Sequence, residues 1–209
     1  MSIPLQLSGM AVPLVNGSRG TVTEPASRPR RADAQRNRER VLRTAAEVFA
    51  TEGLSVPVHE IARRAGVGTG TVGRHFPTKE ALYAAVLLDR MQDLAANADA
   101  LASDNDPGTA FFALFTRLVR EGATHRGLAE ALAVGGFDIE SAATAAGCNV
   151  SDRLGRLLRE AQRCGAVRPE ITFADLKALV SGCLAYQGPD PERVIDVIRT
   201  GLRAHTALG

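Results

Sequence analysis

Apolar residues return at every third or fourth position from about residue 41 onward, and no convincing strand run interrupts that spacing. That periodicity restricts the chain to packed helices. The first stripe is Val41, Leu42, Ala45, Val48 and Phe49, with Asp33 ahead of it as an N-cap and Gly53 behind it as a left-handed cap. Pro57 is placed to open the next helix, where a first-turn proline loses no intrahelical bond. Ile61, Ala62 and Ala65 line the buried side of that helix, and Gly66-Val67-Gly68 turns the chain. A short helix then runs from about Thr69 to His75 and stops at Pro77. Thr78 caps a long helix that begins at Lys79 and reaches about residue 101 through Leu82, Val86 and Leu94. Asp106-Pro107-Gly108 interrupts the pattern. Further helical stretches are predicted at about 109–123, 126–133, 138–164, 172–187 and 190–206. The fold class is all-α, with no internal repeat. Composition agrees: apolar residues make up 45% and aromatics 4%, so leucine and alanine dominate the packing.

Residues 1–32 carry Pro4, Pro13, Pro25 and Pro29 among scattered Gly and Ser without sustained periodicity, and read as a flexible arm, with Met10 an alternative start. The first 27 residues lack the basic start followed by a continuous apolar stretch of a secretory signal. No apolar run approaches the ~20 residues that span a bilayer, so no membrane partner is expected. Cys148, Cys164 and Cys183 are odd in number and lack CxxC spacing, which reads as reduced, half-buried thiols in a cytoplasmic protein. Two lysines, Lys79 and Lys177, against 23 arginines suggest a GC-rich coding genome.

The net charge of +2 divides unevenly. Residues 28–80 hold 11 basic and 6 acidic side chains, whereas residues 81–209 hold 13 and 16. A basic first module on a mildly acidic body points to a polyanion for the first part, although a solvated face gives the same imbalance. The module's own pattern is more specific. A helix, a Gly-containing turn and a second short helix make a helix-turn-helix. Ala62 and Ala65 are small where two helices cross, Gly66 supplies a positive φ, Val67 fills the gap, and Val72 and Phe76 pin the second helix. Thr69, Gly70, Gly73 and Arg74 are then left facing outward, with Thr71 and His75 at the flanks. The same spacing also fits an ordinary αα-hairpin.

The runs RNRERVLRTAAEVFATEGL (36–54) and EIARRAGVGTGTVGRHFPTKEALYAAV (60–86) resemble the amino-terminal domain of the bacterial TetR/AcrR family of regulators. The resemblance is carried by IARRAGV, the TV-RHF segment and F-x-x-KE-L. It implies a three-helix DNA-binding domain at 33–80 and an effector-binding, dimerising body at 81–209. It further implies that Thr69, Gly70, Gly73 and Arg74 sit over base edges and that Thr71, His75 and Lys79 hold phosphates, Lys79 at a helix start. The family usually has a DNA-contacting tyrosine where Gly73 stands, so at this position the chain departs from the family's pattern, and glycine there allows closer backbone approach to the duplex. Arg28, Arg30 and Arg31 fit a DNA-binding arm or a solvated tail equally.

The expected partners are double-stranded DNA with a palindromic operator, a second copy of the chain, and a small, mainly apolar effector that releases a repressor from its operator. Phe111, Phe115, Leu118, Phe137, Leu154, Leu158 and Tyr186 are candidate lining residues for the effector, and plain core is the competing reading for each. Helices 172–187 and 190–206 are expected to meet their symmetry mates. Val194, Ile195, Val197 and Ile198 cover more than one face, as a helix touching both core and partner does. His59, His75, His125 and His205 fit no metal-ligand spacing, and His59, His125 and His205 read as surface or packing residues. Neither a phosphate loop nor GxSxG nor HExxH occurs, so no catalytic residue, metal or cofactor is expected. Two alternatives stand beside the effector-released repressor. One is a thiol- or metal-responsive regulator on the same scaffold; the other is a helical small-molecule-binding enzyme.

Overall fold

The computed structural model describes the backbone of residues 27–204 and the side chains from residue 32. Among these residues the chain forms ten helices: α1 (Ser27–Glu52), α2 (Val58–Arg64), α3 (Thr69–His75), α4 (Lys79–Asp104), α5 (Pro107–Thr124), α6 (Arg126–Val134), α7 (Ile139–Ala145), α8 (Val150–Arg163), α9 (Phe173–Ala185) and α10 (Pro191–Leu202). An isolated antiparallel bridge joins Val167 and Arg203. No helix among the described residues is long and apolar enough to cross a membrane.

Helix α1 begins six residues before Asp33, so the boundary expected at residue 32 runs inside it. Pro29 falls in its first turn, where a missing N–H leaves no bond unmade. Asp33 pairs with Arg36 along the helix instead of capping. Gly53 (φ 80°) ends α1, and Pro57, in extended backbone, is the N-cap of α2 rather than its first residue. Thr78 caps α4, its hydroxyl accepting from the Ala81 amide at 3.0 Å. Asp106 caps α5 in the same way from Thr109, also at 3.0 Å.

The stretch expected at 138–164 is two helices. Gly147 (φ 72°) takes the left-handed region between α7 and α8, and the apolar spacing continues on both sides of it, which hides the break. A capping box between Thr172 and Asp175 starts α9. Helix α10 stops at Leu202, four residues short of expectation, where the bridge to Val167 begins.

Two apolar cores organise these elements. The first joins α1, α2, α3 and the first turns of α4, with Val41, Leu42, Ile61, Val72, Leu82 and Val86 at its centre. It also takes Leu128 and Leu132 from α6, so it extends beyond residue 80. The second packs Phe111 and Phe115 of α5 against Leu154, Leu157 and Leu158 of α8, Leu176 of α9, and Ile195 and Leu202 of α10. Helix α4 contributes to both cores and carries the first on its amino-terminal end.

Candidate nucleic-acid interface

The turn between α2 and α3 is closed from inside. Gly66 adopts φ 64°, and the Val67 amide donates to the Ala62 carbonyl at 3.0 Å. Ala62 and Ala65 are buried where the helices cross, and Val67 packs on the first core. Arg40 of α1 donates to the Gly66 carbonyl at 3.4 Å, tying the turn to the first helix. Sequence reasoning missed this residue, since nothing local links positions 40 and 66. Val72 is fully buried and Phe76 nearly so, with the Arg38 guanidinium 5.7 Å from the Phe76 ring centroid.

With Val72 and Phe76 facing inward, α3 turns Thr69, Gly70, Gly73 and Arg74 to solvent, while Thr71 and His75 are half-buried at its edges. Lys79 is half-buried at the start of α4, its ammonium 5.9 Å from the Tyr83 ring centroid. Tyr83 is held in turn by a 2.9 Å bond from its hydroxyl to the Leu54 carbonyl. The structure therefore places Thr69, Gly70, Thr71, Gly73, Arg74, His75 and Lys79 on α3 and the adjoining start of α4. Arg28, Arg30 and Arg31 fall among the first five residues of α1, and their side chains lie outside the described residues.

Electrostatics sharpen this surface. Arg63 and Arg64 are consumed internally: both donate to Glu60, at 2.7 Å in the shortest contacts, and Arg64 also reaches Glu52 of α1. Hydrogen bonds from Arg63 and Arg64 pull the Glu60 carboxyl down to about 2, and the Arg64 bond lowers Glu52. Arg74 has no ion-pair partner among the described residues. The charge of α2 thus braces the fold, and that of α3 faces outward.

Five of the seven candidate effector residues meet in or against the second core. Phe111, Phe115, Leu154 and Leu158 are buried within the second core. Leu118 bridges that core to a small cluster of Leu94, Ala95 and Val150. Phe137 packs on the first core and faces a groove of about 670 Å³ with Arg38, Ala85 and Leu88. Tyr186 is exposed beyond α9, beside a cavity of about 190 Å³ lined by Val119, Cys183 and Ile195. Phe137 and Tyr186 stand apart from the other five, because helical spacing marks a buried face without saying which buried faces meet. Sequence reasoning missed a cavity of about 360 Å³ among α4, α7, α8 and α9. Met91, Ile139, Ala143, Cys148 and Val150 line it together with polar Thr144, Asn149, Ser151 and Asp152, and Lys177 and Glu140, 3.9 Å apart, complete the lining.

His125 is buried at the junction of α5 and α6, with Nε2 3.6 Å from Glu121 and Nδ1 without a partner among the described residues. Cys148 and Cys183 are buried, and burial pushes both thiols up; Cys164 is exposed rather than half-buried. Among the described residues no group of three or more His, Cys, Asp or Glu is placed to hold a metal ion.

Comparison with known proteins bears on both halves. Residues 41–86 match the family model for bacterial regulatory proteins of the tetR family, and residues 106–204 match that for the SbtR-like transcriptional regulator C-terminal domain. A search of curated proteins found no match. Among solved structures, a TetR transcription regulatory protein from Mycobacterium vanbaalenii is 48% identical, with 84% of this chain and 100% of that one covered and a TM-score of 0.70. A TetR transcriptional regulator from Streptomyces coelicolor is 30% identical, with 81% and 99% covered and a TM-score of 0.67. The ketosteroid transcriptional regulator of Mycobacterium tuberculosis shares the fold at 20% identity, 80% and 95% coverage and a TM-score of 0.53. A helix-turn-helix with an outward-facing second helix, on a helical body matched along its length at 48% identity, leaves one assignment: the chain belongs to the TetR family of transcriptional regulators, DNA-binding proteins with a ligand-binding carboxy-terminal domain.

Proposed function

We propose that the protein is a homodimeric repressor that binds a palindromic operator and is released from it by a small, mainly apolar effector. The observation that carries this reading is the outward face of α3. Thr69, Gly70, Gly73 and Arg74 are exposed while Val72 and Phe76 lock the helix to its core. In the bound state the first four lie over base edges in the major groove. Thr71, His75 and Lys79 hold phosphates, and Arg28, Arg30 and Arg31 extend the basic surface.

Dimerisation is assigned to α9 and α10. Helix α9 leaves Ala174, Ala178, Ser181, Gly182 and Ala185 exposed, and Val197 of α10 is 64% exposed. The effector belongs to the body that follows the first turns of α4. The cavity of about 360 Å³ among α4, α7, α8 and α9 has the volume of a small-molecule site. An effector releases DNA only by binding better to a conformation whose two reading heads mismatch the operator spacing. Helix α6 is suited to carry that change: Leu128 and Leu132 sit in the first core, and Arg126 donates to the Leu184 carbonyl of α9 at 3.2 Å.

The test is selection of bound duplexes from a random pool with the full-length chain. A two-fold symmetric consensus is expected, and a bound pool without enrichment overturns the reading.

A further inference from the structure

Gly70 and Gly73 occupy the exposed face of α3, and neither meets a demand of the protein's own structure. The positive-φ glycines are elsewhere, at Gly53, Gly66, Gly136, Gly147 and Gly165. Packing does not require these two either: a β-carbon built on Gly70 or Gly73 meets nothing within 4 Å. At Gly108, by contrast, it would lie 2.5 Å from the Ala166 β-carbon, and at Gly122 it would lie 2.6 Å from Leu184. In a helix, glycine costs about 1 kcal/mol relative to alanine. A seven-residue helix that carries two of them gives up stability for no internal return.

Residues three apart on a helix are neighbours on one face, so the two glycines form a bare strip about one turn long. Thr69 and Arg74 flank that strip, and both are exposed. We infer that Gly70 and Gly73 are specificity determinants, bare so that the α3 backbone seats against the base edges of the major groove at a distance a β-carbon would prevent. This rests on the DNA-binding reading above. Close seating also fixes the depth to which the adjacent Arg74 reaches. It operates only in the specific complex, because non-specific binding is held by phosphates and needs no fitted approach to the bases.

The experiment compares full-length wild type with Gly70→Ala, Gly73→Ala and Gly73→Ser. Thermal unfolding is followed by circular dichroism. Binding to the duplex selected by the wild type, and to a random duplex of equal length, is followed by fluorescence anisotropy. Alanine at either position should leave Tm unchanged or raise it and keep random-duplex affinity within about twofold. Affinity for the selected duplex should fall at least about tenfold. Serine at position 73 should give the same loss of preference. Operator affinity that is unchanged or stronger in folded variants overturns the inference while leaving DNA reading intact. A wild type that prefers no duplex removes both, and shows it before any glycine is replaced.

Discussion

Lys79 and Arg74 stand close together in the chain but hold different places on the surface. Lys79 is half-buried at the first turn of a 26-residue helix, where its ammonium and free backbone amides can converge on a phosphate. Lys79→Ala should therefore weaken binding to operator and random duplex alike. Each phosphate contact contributes roughly 0.9 to the slope of log affinity against log salt, so a dimer losing two should flatten that slope by about 2. Anisotropy across a salt series measures it, and an unchanged slope with altered base preference gives Lys79 a different role. His125 makes a second residue-scale prediction. Burial, the largest influence, lowers it from its ordinary 6.5; the Glu121 carboxylate opposes that shift, and the Arg90 guanidinium adds to it. The unfolded chain then binds the proton more readily. His125 thus contributes full stability above pH 6.5, and this is lost as pH falls below that value. Urea midpoints between pH 7.5 and 5.5 should decline in the wild type and decline less in His125→Gln.

Among the elements, the helix-turn-helix was legible because each boundary has its own local chemistry. Gly53, Pro57, Gly66 and Thr78 mark ends that spacing alone would leave vague, and α3 occupies the span the sequence predicts. The single helix expected at 138–164 shows the converse, since apolar spacing runs through Gly147 without a visible break. The effector candidates are less legible for a related reason: Phe111, Phe115, Leu154 and Leu158 carry the spacing of a buried face, and the space beside a buried face depends on residues far away in sequence. The outward set on α3 needed only the inward pair Val72 and Phe76 to be recognised. Gly66 tests the turn itself. At φ 64°, alanine should cost about 1–2 kcal/mol. For a chain of this size that lowers Tm by roughly 2–4 °C per kcal/mol, whereas Gly73→Ala should not lower it. Equal melting of the two variants would contradict the account of the turn.

For the whole molecule, the proposed repressor depends on two heads held at a fixed separation. Sequence pattern placed Val194, Ile195, Val197 and Ile198 on more than one face. The structure separates them: Ile195 is buried and Val194 and Ile198 pack on the second core, while Val197 is 64% exposed. Val197→Glu should therefore shift sedimentation toward monomer with helical content intact and weaken operator binding. A stable dimer from this variant would place the interface elsewhere. The central claim is that this assembly reads base sequence through α3, and duplex selection with Arg74→Ala beside the wild type tests it most directly. A bidentate arginine–guanine contact is worth about 1–3 kcal/mol of discrimination. The account predicts that the variant's consensus loses preference at one position in each half-site, symmetrically, and keeps the rest. A consensus identical to that of the wild type would contradict it.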